Sequence, residues 1–177
     1  MSNELIEYQR RLYELLYSDS EAIFANYSQE HAQCIIRAFI DAAEHTIVFL
    51  SGDFGGGVYR EGGDIRCALE AAVRRGVDVR VISLGQNDGS KESLAALNTR
   101  LCKEADASVK GSFSYKMGVV REGAQVQHYM VVDGKRYRLE AAHATPVPDS
   151  VHAEVCCNGR AKAALLTNSF NTVWNRI

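Results

Sequence analysis

Proline is scarce in this chain of 177 residues: Pro146 and Pro148 are its two, close together in one expected loop. There is accordingly no proline-rich or low-complexity tract, and no repeat at a fixed period. No run approaches the roughly 18 consecutive apolar residues that a membrane-spanning helix needs. The opening MSNELIEYQRRLYELL mixes charges among its apolar residues and lacks the apolar run and small-residue cleavage site of a secretory signal. Neither sign of charge dominates: 20 Lys+Arg stand against 22 Asp+Glu for a net charge of −2, so no global basic field advertises a nucleic-acid partner. The five cysteines are odd in number and have no Cys-x-x-Cys spacing, which fits reduced, buried thiols better than a disulfide framework. A soluble cytoplasmic protein with no membrane span is the expectation.

What is present suffices for one domain with a full core. Leu5, Tyr8, Leu12, Leu15 and Leu16 recur at helical spacing, so the first 17 or so residues read as an amphipathic helix, and residues 1–27 as a helical extension to a domain spanning 28–177. Ser28 is a good cap for a second helix presenting Ile36, Phe39, Ile40 and Ala43. TIVFLSG, Thr46 to Gly52, is continuously apolar through its middle, as in a strand buried on both faces. A glycine-rich loop follows, then Asp64 as a cap for a helix with the stripe Ile65, Ala68, Leu69, Ala72 and Val73, stopped by Gly76. VDVRVISL makes the second strand of this parallel crossover unit. A helix over 90–105 uses Leu94, Leu97 and Leu101.

Beyond it the period changes to two. Phe113, Tyr115, Met117 and Val119 share one face; so do Val126, His128, Met130 and Val132; and so do Tyr137, Leu139 and Ala141. Asp133-Gly134 between the last two runs predicts a type I′ hairpin turn, which needs positive φ. VHAEVCC supplies a further strand, and a closing helix places Leu166, Phe170, Val173, Trp174 and Ile177 inward. The fold class is α/β, a mixed sheet flanked by helices.

Two stretches carry a family resemblance. DIRCALEAAVRRGVDVRVISL is similar to a helix and strand of the phospholipase D-like superfamily, and Val126 to Gly134, ending Met-Val-Val-Asp-Gly, resembles the end of that family's His-x-Lys-x4-Asp motif. The resemblance covers roughly Gln29 to Ile177 and implies a half-domain, here with an extra N-terminal helix. Single-motif members pair about a twofold axis to build one phosphodiesterase site, in which histidines act as nucleophile and general acid and lysines hold the phosphate oxygens. The implied partner is therefore a second copy, or another subunit.

Counting back from Asp133, Val126 takes the place of the nucleophilic histidine and His128 that of the lysine. Glu140-Ala141 stands where the family has Gly-Ser or Gly-Thr, so a carboxylate replaces a phosphate-facing hydroxyl. An alternative alignment keeps His128 as nucleophile, with Met130 at the lysine position and the aspartate two residues early. In both, the standard set is incomplete, which leads to a catalytically degenerate protein acting as a binding or regulatory module. The enzyme alternative is a phosphodiesterase or nuclease whose rebuilt site uses His128, with Arg138 or Lys135 in place of the lysine.

The catalytic candidates are thus His128, Asp133 and Glu140. Tyr59 and Arg60 in the glycine-rich loop, with Arg138 and His143, are ligand-binding candidates, because the loop leaves the carboxyl end of a parallel strand. No cofactor is expected. Glu140, His143, His152 and Glu154 could gather near His128 if the last strands are neighbours, but they lack a diagnostic metal spacing, and no metal is expected. The groups Arg66, Arg74, Arg75, Arg80 and Lys135, Arg136, Arg138 read as solvated surface, with nucleic-acid binding as the second alternative.

Overall fold

Apolar, β-branched runs form the centre of a seven-stranded sheet in the computed structural model, which describes residues 3–52, 64–84, 89–103, 109–121, 123–143 and 152–177. The elements follow as α1 Asn3–Tyr17, β1 Ile23–Asn26, α2 Gln29–Asp41, β2 Thr46–Ser51, α3 Asp64–Arg75, β3 Asp78–Ser83, α4 Gly89–Lys103, β4 Phe113–Met117, β5 Tyr129–Val132, β6 Arg136–Glu140, β7 Ala153–Cys156 and α5 Arg160–Trp174. Sheet order is β1-β7-β6-β5-β2-β3-β4. β2, β3 and β4 run parallel, whereas β5, β6, β7 and β1 are joined by antiparallel pairs. This is a mixed α/β architecture. Among the described residues, no helix is long and apolar enough to cross a membrane.

Side-chain alternation divides the core into two layers. Ile47, Phe49, Val79, Val81, Met130 and Val132 point toward α1–α4, while Val48, Leu50, Ile82, Tyr129, Val131 and Tyr137 meet Ala163, Leu166 and Phe170 of α5. Local signals operate as the sequence predicts. Ser28 accepts from the His31 N–H at 3.1 Å, capping α2. Gly76 ends α3 with φ +114°, and Asp133 and Gly134 form the β5–β6 turn with φ of 52° and 63°.

Three expectations are corrected. The four residues of β1 add an edge strand that pairs Asn26 with Ala153 of β7, and Leu12 and Leu16 of α1 are buried in the core. Ile177 is exposed rather than packed inward. Arg136 and Arg138 are buried, not solvated, because β6 lies inside the sheet with β5 and β7 on its two sides. Tyr59 and Arg60, the glycine-rich loop beyond Gly52, the capping side chain of Asp64, and Pro146 and Pro148 fall outside the described residues.

One carboxylate joins α3 to α4: Glu70 accepts from Arg74 at 2.9 Å and from Arg100 at 2.8 Å. The Arg100 hydrogen bond lowers the Glu70 pKa to about 2, against the effect of burial and with help from Arg74. A depressed carboxyl stabilises the fold above its unfolded pKa of 4.5, and that contribution is lost as pH falls through about 2. The pair is partly exposed, so the Glu70→Gln substitution is expected to cost on the order of 1 kcal/mol at pH 7 and less at pH 3. Urea unfolding at the two pH values measures this, and an equal loss at both would rule out the ion pairs as its cause.

Candidate functional site

The site is built on one row across the sheet. Leu50 pairs with Tyr129 and Tyr129 with Leu139, so the next residues, Ser51, His128 and Glu140, stand side by side at the carboxyl end of β2. Glu140 N–H donates to His128 O at 2.8 Å, closing that register. Glu140 pairs onward with Ala153, and Ala153 with Asn26. Four strands and the residue preceding β5 thereby bring Asn26, Glu140, His128 and Ser51 to the face shared with Met130 and Val132.

Those polar groups are buried and mutually bonded. His128 is 5% exposed, Arg138 3%, Glu140 8%, Ser51 1% and Asn26 0%. Ser51 Oγ lies 2.9 Å from His128 Nδ1, and the Gly52 N–H donates to the same nitrogen at 3.4 Å. Arg138 Nη1 donates to Glu140 Oε1, and Arg138 Nε donates to Asn26 Oδ1 at 2.8 Å. The other carboxylate oxygen, Oε2, faces two rings: it is 3.4 Å from His143 Nε2 and 3.9 Å from His128 Nδ1. The rings stack with centroids 4.3 Å apart.

His143 reaches this face through a one-residue bulge. Glu140 lies opposite His128, but the next pairing, an isolated bridge, sets His143 opposite Val126. Three residue steps on one side thus match two on the other. Strict alternation from Glu140 would send His143 to the opposite face; the extra residue returns it.

Burial pushes the His128 imidazole down to about 4, opposed by the Glu140 carboxylate and reinforced by His143 and Arg138. The ring is therefore neutral near pH 7. Its Nε2 is buried and has no hydrogen-bond partner among the described residues. Gly52 packs closely beside it: a Cβ there would sit 3.2 Å from Val126 Cγ1 and 3.3 Å from the His128 ring, so these side chains would have to give by a few tenths of an ångström.

Of the predicted residues, His128, Glu140, Arg138 and His143 come together. Asp133 does not. It lies five residues along the strand from His128, about 16 Å away, where it accepts from the N–H groups of Glu44, His45 and Thr46 at 3.1, 2.8 and 3.0 Å and pairs with Arg136. Its place is at the α2–β2 junction. Glu154 bonds Tyr137, and His152 packs edge-on against Tyr27. Both line a groove of about 660 Å³ that also touches Glu140. Val126, at the position the resemblance assigns to the nucleophilic histidine, is a buried apolar side chain. Sequence reasoning missed Ser51 and Asn26. Ser51 has the parity of Ile47 and Phe49 and ends their strand, a signal that was there to use; Asn26 has meaning only once β1 joins the sheet.

Nuc from Salmonella typhimurium, a phospholipase D family member, has a similar structure, with a TM-score of 0.58 at 22% identity over 87% of this chain and 94% of that one. The fold is phospholipase D-like. NucT from Helicobacter pylori shares it at a TM-score of 0.53 and 12% identity, over 87% of this chain and 97% of NucT. So does TrmBL2, an archaeal chromatin protein whose structure shows a novel mode of DNA binding: the TM-score is 0.61 and the identity 12%, over 97% of this chain but 59% of TrmBL2. No family model and no curated protein matches the sequence. On the phospholipase D-like fold, the Ser51–His128–Glu140 row lies where β2 ends and the chain enters β5.

Proposed function

We propose that this chain is a catalytically degenerate phospholipase D-like protein that acts by binding, as a homodimer or as a subunit beside another protein, and does not cleave phosphodiesters. The observation that carries this reading is the Arg138–Glu140 pair. A phosphodiesterase site of this family needs cations free to hold phosphate oxygens, and here the buried guanidinium is already bonded to a buried carboxylate and to Asn26. His128 at the lysine position is held neutral by burial, and Val126 offers no nucleophile. A phosphate entering this site would meet a self-neutralised pair with no surplus positive charge to hold it.

Nucleic-acid binding has less support, since many of the basic side chains it would use have intramolecular partners. Arg74 pairs with Glu70, Arg75 bonds the Ile40 carbonyl, Lys135 pairs with Asp19, and Arg80 lies over Phe170 and Trp174 while bonding Asn171. The rebuilt-enzyme reading needs Arg138 released from Glu140, or Lys135 released from Asp19.

The test is hydrolysis of bis(p-nitrophenyl) phosphate and of DNA by the purified full chain in the presence of EDTA, with the mass measured by sedimentation. No turnover is expected, in a species larger than the 19.5 kDa monomer. Turnover that disappears in a His128→Ala variant would sink the degenerate reading in favour of the rebuilt enzyme. A monomer at all concentrations would remove the homodimer.

A further inference from the structure

We propose that His128, Glu140 and His143 bind a divalent transition-metal ion of the Zn²⁺ type. One ligand atom from each lies within 4.8 Å of the other two. Metal–ligand bonds of about 2.0–2.2 Å in tetrahedral geometry set ligand atoms roughly 3.4 Å apart. The separation of His143 Nε2 from Glu140 Oε2 is already 3.4 Å.

Three further observations point the same way. The bulge between Glu140 and His143 turns a histidine that regular pairing would face away back onto the carboxylate, and bulges re-aim side chains in this manner beside functional sites. The carboxylate is oriented from behind: Asn26 holds Arg138, Arg138 holds Oε1, and Oε2 is left to the imidazoles. Such outer partners are what metal ligands require. Finally, His128 is 5% exposed, and among the described residues its Nε2 has no hydrogen-bond partner, a cost that coordination removes. One ring nitrogen is bonded by Ser51 and the other awaits a partner; when Nε2 ligates, Ser51 remains as the outer partner on Nδ1.

Two imidazoles and one carboxylate suit Zn²⁺ or a neighbouring first-row ion better than Mg²⁺ or Ca²⁺, which take oxygen ligands. Three protein ligands leave a coordination position for water or a bound ligand. This goes beyond the non-hydrolytic reading, and neither depends on the other.

The experiment is titration of the EDTA-stripped full chain with Co²⁺, followed by displacement with Zn²⁺. One equivalent should bind, with visible d–d bands and no near-ultraviolet thiolate charge transfer. His143→Ala alters a partly exposed ring; it should keep its metal-free melting temperature and lose affinity at least about 100-fold. If that variant folds poorly, long-range ¹⁵N spectra of the wild-type rings decide instead: two of the five histidines shift on Zn²⁺ addition. Absence of binding to the wild type, unchanged affinity in a folded His143→Ala, a thiolate band, or no shift at two histidines would each overturn the proposal. Because the hydrolysis assay runs in EDTA, failure of metal binding leaves its outcome untouched, and hydrolysis there would leave the metal site standing.

Discussion

Replacing Arg138 with methionine is expected to destabilise the protein by about 3–5 kcal/mol, because it strands the Glu140 carboxylate in the interior. Glu140 is 8% exposed, and Arg138 is its cationic partner there, so the loss is the desolvation cost of an uncompensated charge rather than the net worth of the pair. For a chain of this size that corresponds to a melting temperature lower by roughly 10 °C. Asn26, at 0% exposure, loses its donor in the same substitution. The double variant Arg138→Met/Glu140→Leu, which removes both charges, should recover most of the stability by replacing a buried ion pair with apolar contacts. Thermal and urea unfolding of the two single variants and the double variant give the coupling. Additive losses would mean that the two side chains do not act as a pair, and the case for a self-neutralised site would fall with them.

Asp133→Ala should be similarly damaging, by about 3–5 kcal/mol, without touching the cluster around His128. Its two oxygens receive three backbone N–H groups at the α2–β2 junction and the Arg136 guanidinium, whose side chain is 9% exposed. Loss of the carboxylate strips these donors and leaves a buried cation. Asp133→Asn should fall between. Its amide oxygen can still accept where Oδ1 bonds His45 and Thr46, but its NH₂ would face the donors that now reach Oδ2. A calorimetric ranking of wild type above Asn above Ala is expected. An alanine variant as stable as wild type would show that the junction holds without Asp133.

The sequence made the frame legible because its signals were local. Continuous apolar character fixed β2, and alternation placed Phe113 and Tyr115 of β4 and Met130 and Val132 of β5 on the inner face, though Met117 is exposed and Val126 packs on the α5 side; Ser28 and Gly76 punctuated helices, and Asp133-Gly134 specified the hairpin. The site was legible in part. His128 could be placed on the core face by parity, but Arg136 and Arg138 looked like surface because composition does not show that β6 is an inner strand. His143 could be named only as a candidate whose approach depended on which strands are neighbours. A single extra residue between Glu140 and His143 inverts the face on which it lies, and no periodicity argument detects that inversion. Asp133 was singled out by its motif position, whereas its neighbours show it clamping backbone. β1 escaped notice because four residues ending in asparagine carry too little pattern.

That short first strand has a kinetic consequence. Ile23 pairs with Cys156 and Asn26 with Ala153, so β1 finds its partner more than a hundred residues later in the chain. During synthesis it stays unpaired until β7 has been made, while α1 and α2 can already dock. The ring closure that finally seats β1 is among the longest-range in the molecule, and loop-closure entropy makes such steps late. Asn26 arrives with it. The hydrogen bond that completes the anchoring of Arg138 therefore forms only when the edge of the sheet is sealed.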